Sequence, residues 1–444
     1  MIKNKYNKNM ASFILASIAV AASFSGCTDN SSKHSSVTSD QTSTYESKAD
    51  TTTSSSDAQS TDKTDTSSEE STDSESSAKN NTSEIFSKRD LEQTPDLNDS
   101  QSISIENGKN VSITKEGVYK LSGTADDVTI TVEAPDDAKV QLVLDGLHIT
   151  NTDAPAVYIR SCDKAFITTT ESDNTLSTTD EFAADSDTNL DAVIFSKSDL
   201  TLNGTGSLNL SCGKGNGISA KDDLYITGGS YTINSAEDCI EANDSISVCD
   251  GSFYLTSQKD AIKCNNKDDL TKGSVYISGG TFDICAADDG IQGTTTVVID
   301  GGTITISSCS EGIEATNITI NDGTIDINAS DDGINAAQKS TAYDIAIEFN
   351  GGSTTISMGA GDTDAVDSNG TIYVNDGIIN ITAPTSSFDY DVAGEIRGGT
   401  VTVNGEQITE MPEDMMGGRG QHGGGMQGGM KRDPQNFNKQ TRQE

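Results

Sequence analysis

From about residue 205 to residue 405 the chain alternates apolar and polar positions in recurring units. Each unit turns on a glycine: Gly229, Gly251, Gly280, Gly302, Gly323, Gly352, Gly377 and Gly399. The second and fourth residues after it are apolar in Tyr231/Ile233, Phe253/Leu255, Phe282/Ile284, Ile304/Ile306 and Ile325/Ile327. The fifth and third residues before it are apolar in Leu224/Ile226, Ile246/Val248, Val275/Ile277, Val297/Ile299, Ile318/Ile320, Ile347/Phe349 and Ile372/Val374. A period of two marks β-strands, and a glycine between two such runs marks a tight bend. A third short apolar segment centres on Ile240, Ile262, Ile291, Ile313 and Ile334. The glycines recur at steps of 22, 29, 22, 21, 29, 25 and 22 residues, a unit of about 22 with occasional insertions. Three strands and three bends per unit describe one coil of a parallel β-helix. Coils stacked about 4.8 Å apart merge their apolar faces into one core. The expectation is an all-β solenoid over 100–405, looser over 100–205 because terminal coils cap the stack. Leucine-rich repeats, hexapeptide helices and propeller blades fit the length and pattern less well.

In register, the repeat also aligns acids. Two positions before each central apolar residue stand Asp238, Asp260, Asp289, Glu311, Asp332 and Asp364, with Asp191 and Asn216 in the coils before them. Asp288 and Asp331 add a second acid at two of these corners, as does Glu237. The next residue is small (Cys239, Ala261, Gly290, Gly312, Gly333 or Ala365), which permits a sharp corner and leaves carbonyls approachable. Unit charges about 5 Å apart repel by about 1 kcal/mol in water and by several times more when shielded from it. Ca²⁺, which takes six to eight oxygen ligands, relieves such a row better than the stricter Mg²⁺. The competing reading is that corner Asp side chains bond turn amides and need no metal.

Three further features bear on chemistry. NKDDLTK (266–272) and AQKSTAYD (337–344) are insertions predicted to leave one corner, either as part of a binding site or as drift at a tolerant surface. Lys263 is predicted to neighbour Asp238 and Asp260, where it neutralises the row, contacts an acidic sugar, or acts as a base if its pKa falls. Tyr225, Tyr276 and Tyr373 share an outward strand position, and Tyr254 points outward from the following strand. They form either a glycan-stacking platform or ordinary strand packing. Of three His in the chain only His148 falls inside the solenoid, which leaves little room for His-based catalysis.

Composition narrows the partners. The chain has 444 residues, 69 acidic against 29 basic, and a formal net charge of −40. That charge excludes a nucleic-acid backbone and disfavours adsorption to an anionic membrane. Residues 28–90 are rich in Ser, Thr and Asp and read as a disordered tether; 411–444, with its GGRGQHGGGMQGGM run, reads as a disordered tail. Residues 1–27 read as a targeting segment: Lys3, Lys5 and Lys8, a short apolar stretch from Ala11 to Ala22, then FSGC ending at Cys27. This ending resembles the lipobox of bacterial lipoproteins, with Phe24 in place of the usual Leu. The resemblance implies acylation of Cys27; an ordinary secretory signal is the alternative, and both export the chain. Seven Cys then remain, an odd number, so at least one is unpaired.

QLVLDGLHIT (141–150), DAPAVYI (153–159), NTLS (174–177), SDLTLNGTGSL (198–208) and the repeated DDGI corners resemble the bacterial surface carbohydrate-binding β-helix family, related to family 9 pectate lyases. The resemblance covers roughly 100–405. It implies a right-handed parallel β-helix like that of pectate lyases, calcium at the stacked Asp corners, and binding of cellulosic or acidic plant polysaccharides. Carried over by residue, the calcium candidates are Asp238, Asp260, Asp289, Asp332 and their neighbours, and Lys263 is the one match to a lyase base. The expectation is a monomeric, non-catalytic binding protein on the outer face of the bacterial cell membrane, held there by its lipid alone. The alternatives are a calcium-dependent pectate lyase acting by β-elimination and a purely structural spacer.

Overall fold

The structure, a computed structural model, describes residues 85–412 except 187 and 362. The signal segment with Cys27, most of the 28–90 tether and the tail from 413 lie outside these residues. Among the described residues, thirty-six strands run from Gln101 to Ile408. They form one sheet of 24 strands, which carries two faces of the solenoid, and one of 12 strands, which carries the third. The chain is a parallel β-helix.

One coil shows the plan. Ile240–Ala242 lies on the 12-stranded sheet (face one), Ser245–Val248 on face two and Ser252–Ser257 on face three. The next coil begins at Ile262, paired in parallel with Ile240. The register sets like upon like. On face two Leu224 pairs Ile246, which pairs Val275, then Val297, Ile318, Ile347 and Ile372. On face one an apolar column runs from Ile218 through Ile240, Ile262, Ile291, Ile313 and Ile334 to Val366. These side chains fill a single continuous core. Inside face three Tyr231, Phe253 and Phe282 stack, with centroids 5.4 and 4.4 Å apart, before Ile304 continues the column. Parallel strands in register place identical positions one rung apart, so a one-residue slip would turn this core outward.

Gly251 shows why the bend between faces two and three needs glycine. Its φ is +130°, and a Cβ there would lie 2.9 Å from the Phe253 ring. At the far end the stack closes with an antiparallel hairpin, Thr400–Val403 against Glu406–Ile408. The early coils depart from the plan as expected, for Lys139–Asn151 is one long strand that pairs with both Lys164–Thr169 and Asp173–Thr178.

The last residues of the span that reads as a tether are packed on the solenoid. Residues 85–93 dock on the flank of face two, several coils away from the first strand. Phe86 is buried against Tyr225, and Asp90 is buried between Lys164 (2.8 Å) and the Thr201 hydroxyl (2.6 Å). Gln93 donates to the Thr227 carbonyl and accepts the Gly204 amide. The Ser/Thr/Asp-rich composition that reads as a tether stops at Ile85 and Phe86, the first large apolar pair beside the solenoid.

Candidate functional site

The acid column stands where stacking predicts it, at the corner before face one. Asp238, Asp260 and Asp289 are buried, Asp260 completely. Most of the column is built by amide capture. The Asp238 amide donates to Asn216 Oδ1 (2.8 Å), the Asp260 amide to Asp238 Oδ1 (3.0 Å) and the Asp289 amide to Asp260 Oδ1 (2.9 Å). Farther on, the Asp364 amide donates to Asp332 Oδ1 at 3.2 Å. Each carboxylate therefore satisfies a corner amide of the next coil, the structural role that competes with metal binding. The second oxygens of Asp238 and Asp260 face Lys263, which ion-pairs with Asp260 and lies 3.9 Å from Asp238.

Between Asp289 and Asp332 this ladder breaks. No such bond joins Asp289 to Glu311 or Glu311 to Asp332 among the described residues. The strand before the corner, Thr303–Cys309, carries a bulge: Ile284 pairs Ile306, but Cys285 pairs Ser308. The backbone beyond the bulge is back in register, for the Ser310 amide donates to the Asp288 carbonyl and the Gly290 amide to the Glu311 carbonyl, yet the Glu311 amide makes no bond to the Asp289 carboxylate among the described residues. Instead Asp289, Glu311 and Glu314 bring carboxylate oxygens within 4.8 Å of one another, and Asp260, Asp288 and Asp289 form an adjoining group. Gln292 bridges Asp289 and Glu314, Lys339 pairs Glu314, and Asn335 donates to Glu311 (3.1 Å). The Asn335 Oδ1 is buried and has no hydrogen-bond partner among the described residues.

The electrostatics follow the geometry. Burial, then the charges of Asp260, Glu314 and Glu311, push the Asp289 carboxyl far above the usual range. Burial and then Glu314 raise Glu311 to about 7. Asp238 and Asp332 rise to about 6, in each case mainly by burial. Lys263 goes the other way from a buried base. Burial alone would lower its pKa, but Asp238 and Asp260 outweigh that and hold it above its ordinary value.

Several expectations change. The corner carbonyls are already engaged, for those of Cys239, Ala261, Gly290 and Gly312 accept amides of Ile218, Ile240, Ile262 and Ile291. The tyrosines lie on two faces, and Lys263 on a third, face one. Tyr225 and Tyr276 flank Ser247 on face two, and Tyr254 lies on face three. Tyr225 is covered by Phe86, with Lys164 3.7 Å above its ring. The Tyr276 hydroxyl bonds Asp300 at 2.9 Å, and Arg397 stacks on Tyr373 at 3.6 Å. The two insertions do leave one corner, and they touch: the Ser340 hydroxyl donates to the Leu270 carbonyl.

Apart from Lys263, sequence reasoning missed the outward residues of face one. Glu241, Lys263, Gln292, Glu314, Asn335 and Asp367 form a polar column beside the acids. The available signal was the residue after each central Ile or Val, polar in every one of these units. Also missed was a group at the other edge of face one, where Asp199, Asp222 and Asp223 meet within 4.8 Å.

Fold and site together define a repeat solenoid with an oxygen-rich, partly buried acidic corner on one face. The chain belongs to the family described as carbohydrate-binding domain-containing protein, whose model matches residues 107–364. A carbohydrate-binding domain-containing protein of Acetivibrio thermocellus is 38% identical over 130 residues, 29% of this chain and 46% of that relative. The chain thus spans about half the length of that relative. A solved structure, the polysaccharide lyase-like protein from C. thermocellum in a gadolinium derivative, is 27% identical with a TM-score of 0.42, covering 64% of this chain and 98% of that one.

Proposed function

We propose that this carbohydrate-binding protein is a non-catalytic capture protein for polysaccharide, that its acidic corner holds Ca²⁺, and that it works at the bacterial cell surface, anchored through Cys27. The observation that carries the metal assignment is the break in the amide ladder. There Asp289, Glu311 and Glu314 converge without amides of the next coil to hold them, and the buried Asn335 oxygen lacks a partner. Hard oxygen donors of this kind suit calcium. Asp289, Glu311 and Glu314 would hold it, with Asp260 and Asp288 as the adjoining set. Bound calcium would supply the positive charge that lets an acidic chain tolerate an acidic polysaccharide. Lys263, held protonated between two carboxylates, is a poor proton acceptor, which disfavours the lyase reading.

The test is retention of polygalacturonate by the full chain with calcium and after EDTA. Retention only with calcium, and without release of unsaturated uronides, supports the proposal. Equal retention after EDTA removes calcium from it, and ultraviolet-absorbing product turns the reading to a lyase. The anchor is tested separately: Cys27→Ser should move the protein from the membrane fraction to the medium.

A further inference from the structure

We infer that the solenoid carries a second, metal-independent subsite for an uncharged, extended oligosaccharide, formed by Tyr254 and the groove beside it. The inference rests on the polysaccharide-binding reading and deepens it. The groove, about 340 Å³, crosses the glycine bends of successive coils near 204, 228 and 251. These bends join faces two and three, so the groove lies across the solenoid from face one and its acids. Its floor is glycine backbone. Its polar lining is Thr205, Ser230, Asp250 and Ser252, and Gln93 of the docked N-terminal segment forms one wall.

Two independent observations meet here. First, the hydroxyls of Thr205, Ser230 and Ser252 have no hydrogen-bond partner among the described residues. Asp250 uses Oδ1 to accept the Gly251 amide (2.7 Å) and leaves Oδ2 open. Second, Tyr254 follows Ser252 by two residues on one strand, so both point outward on the same face. At 55% exposure Tyr254 is the most exposed aromatic side chain among the described residues. Its rung neighbours are the small or short residues Thr232 and Asp283, and among the described residues no ring or cation covers it. Tyr225 and Tyr373 both have such covers. A single exposed aromatic needs no explanation; one beside a groove of open hydroxyls and a free carboxylate oxygen presents what a pyranose ring requires. The sugar's C–H face lies on the phenol ring, and its hydroxyls meet the donors and acceptors alongside.

The chemistry also sets the class. The groove lining contains no basic residue, and Asp250 and Asp283 repel a uronate, so the ligand is uncharged. Bends recur about every 4.8 Å, close to the advance of one sugar in an extended chain, so consecutive sugars meet consecutive coils.

The test is affinity electrophoresis of the full chain through gels containing hydroxyethylcellulose, arabinoxylan, glucomannan or galactan, beside a polygalacturonate gel with calcium. At least one neutral polymer should retard the protein, and EDTA should not change this. Tyr254→Ala should weaken that retardation at least tenfold, with an unchanged melting temperature and unchanged retention by calcium–polygalacturonate. Asp250→Asn should weaken it less. If no neutral polymer retards the protein, or if Tyr254→Ala is retarded like the parent, the subsite is wrong. Survival of polygalacturonate retention in that case leaves the capture function standing, whereas loss of both ends the polysaccharide reading itself.

Discussion

Asp260 and Glu311 occupy the same position of the same repeat, yet their corners are solved differently. At Asp260 every carboxylate oxygen has a partner: one takes the Asp289 amide and the other takes Lys263. Two coils later the strand before the corner carries a bulge, a Glu replaces the Asp, and three acids face one another with two amides and a lysine only partly compensating them. The first corner is complete within the chain. The second is not, and there burial first, then the neighbouring acids, raise the pKa values of Asp289 and Glu311. Repeat position alone therefore does not make a metal site; the partners that each acid finds decide which copies of the motif remain open.

The largest effect that separates the two corners is expected at Lys263. Lys263→Ala would leave the fully buried Asp260 charge, and Asp238 beside it, without a cation. Breaking one partner of a buried pair costs about 3–5 kcal/mol, so denaturant unfolding at neutral pH in EDTA should show a loss of about 3 kcal/mol. Adding Asp260→Asn to the same chain should return much of it, since the two changes are directly coupled. A loss below about 1 kcal/mol would mean that the first corner does not depend on its lysine.

Next in size is Asp289→Asn at the open corner. With calcium at a hundred times its dissociation constant, the parent should gain about 2.7 kcal/mol. The variant should lose that gain, yet be no less stable than the parent in EDTA, because burial and the neighbouring acids already favour the neutral carboxyl there, which the Asn amide replaces without a charge. If both proteins respond equally to calcium, the cation lies elsewhere, and the Asp199–Asp222–Asp223 group becomes the place to look.

How much of this was legible beforehand differs between the two corners as well. The alternation of Ile and Val with polar residues, and the glycine steps, predict the faces and the stacking of Asp238 on Asp260. Both depend only on period and register. The break does not show in the spacing, because GTITISSCSEGI and GTFDICAADDGI have the same length from glycine to isoleucine. The bulge at Ser307–Cys309 is compensated within the coil, so counting cannot find it. Glu311 in place of Asp was its one trace. Likewise Tyr225 looks like any outward strand tyrosine until Phe86, more than a hundred residues earlier, is folded onto it. Contacts between segments distant in the chain and without a repeat leave no period to read.

A pH series sharpens the comparison with no mutation. Asp238 and Asp332 titrate near 6, and Glu311 and Asp367 near 7, all raised chiefly by burial. An acid whose folded-state pKa exceeds its unfolded value binds protons more tightly when folded. Its contribution to stability is complete below about pH 4 and is lost as pH climbs through 6 and 7. In EDTA the melting temperature should therefore fall between pH 5 and 8. Lys263, raised above 10.5, keeps its proton across this window and adds no slope. Calcium competes with the same protons, so its stabilisation should grow with pH and the two melting curves should separate toward pH 8. Parallel curves would mean that the titrating acids and the calcium ligands are different groups.

The smallest effect is expected four residues from the largest. Lys259 pairs with Glu237 at 3.1 Å, but both side chains are roughly half exposed. Water screens such a pair, and holding two long side chains in place costs entropy, so exposed pairs contribute about 0–1 kcal/mol. Lys259→Ala should change unfolding stability by less than about 0.5 kcal/mol and leave the calcium response untouched. Lys259 and Lys263 stand beside the same Asp260 in sequence, and a charge count along the chain treats them alike. If Lys259→Ala proved as damaging as Lys263→Ala, the acid row would be acting through its summed charge, and the distinction between a closed corner and an open one would fail.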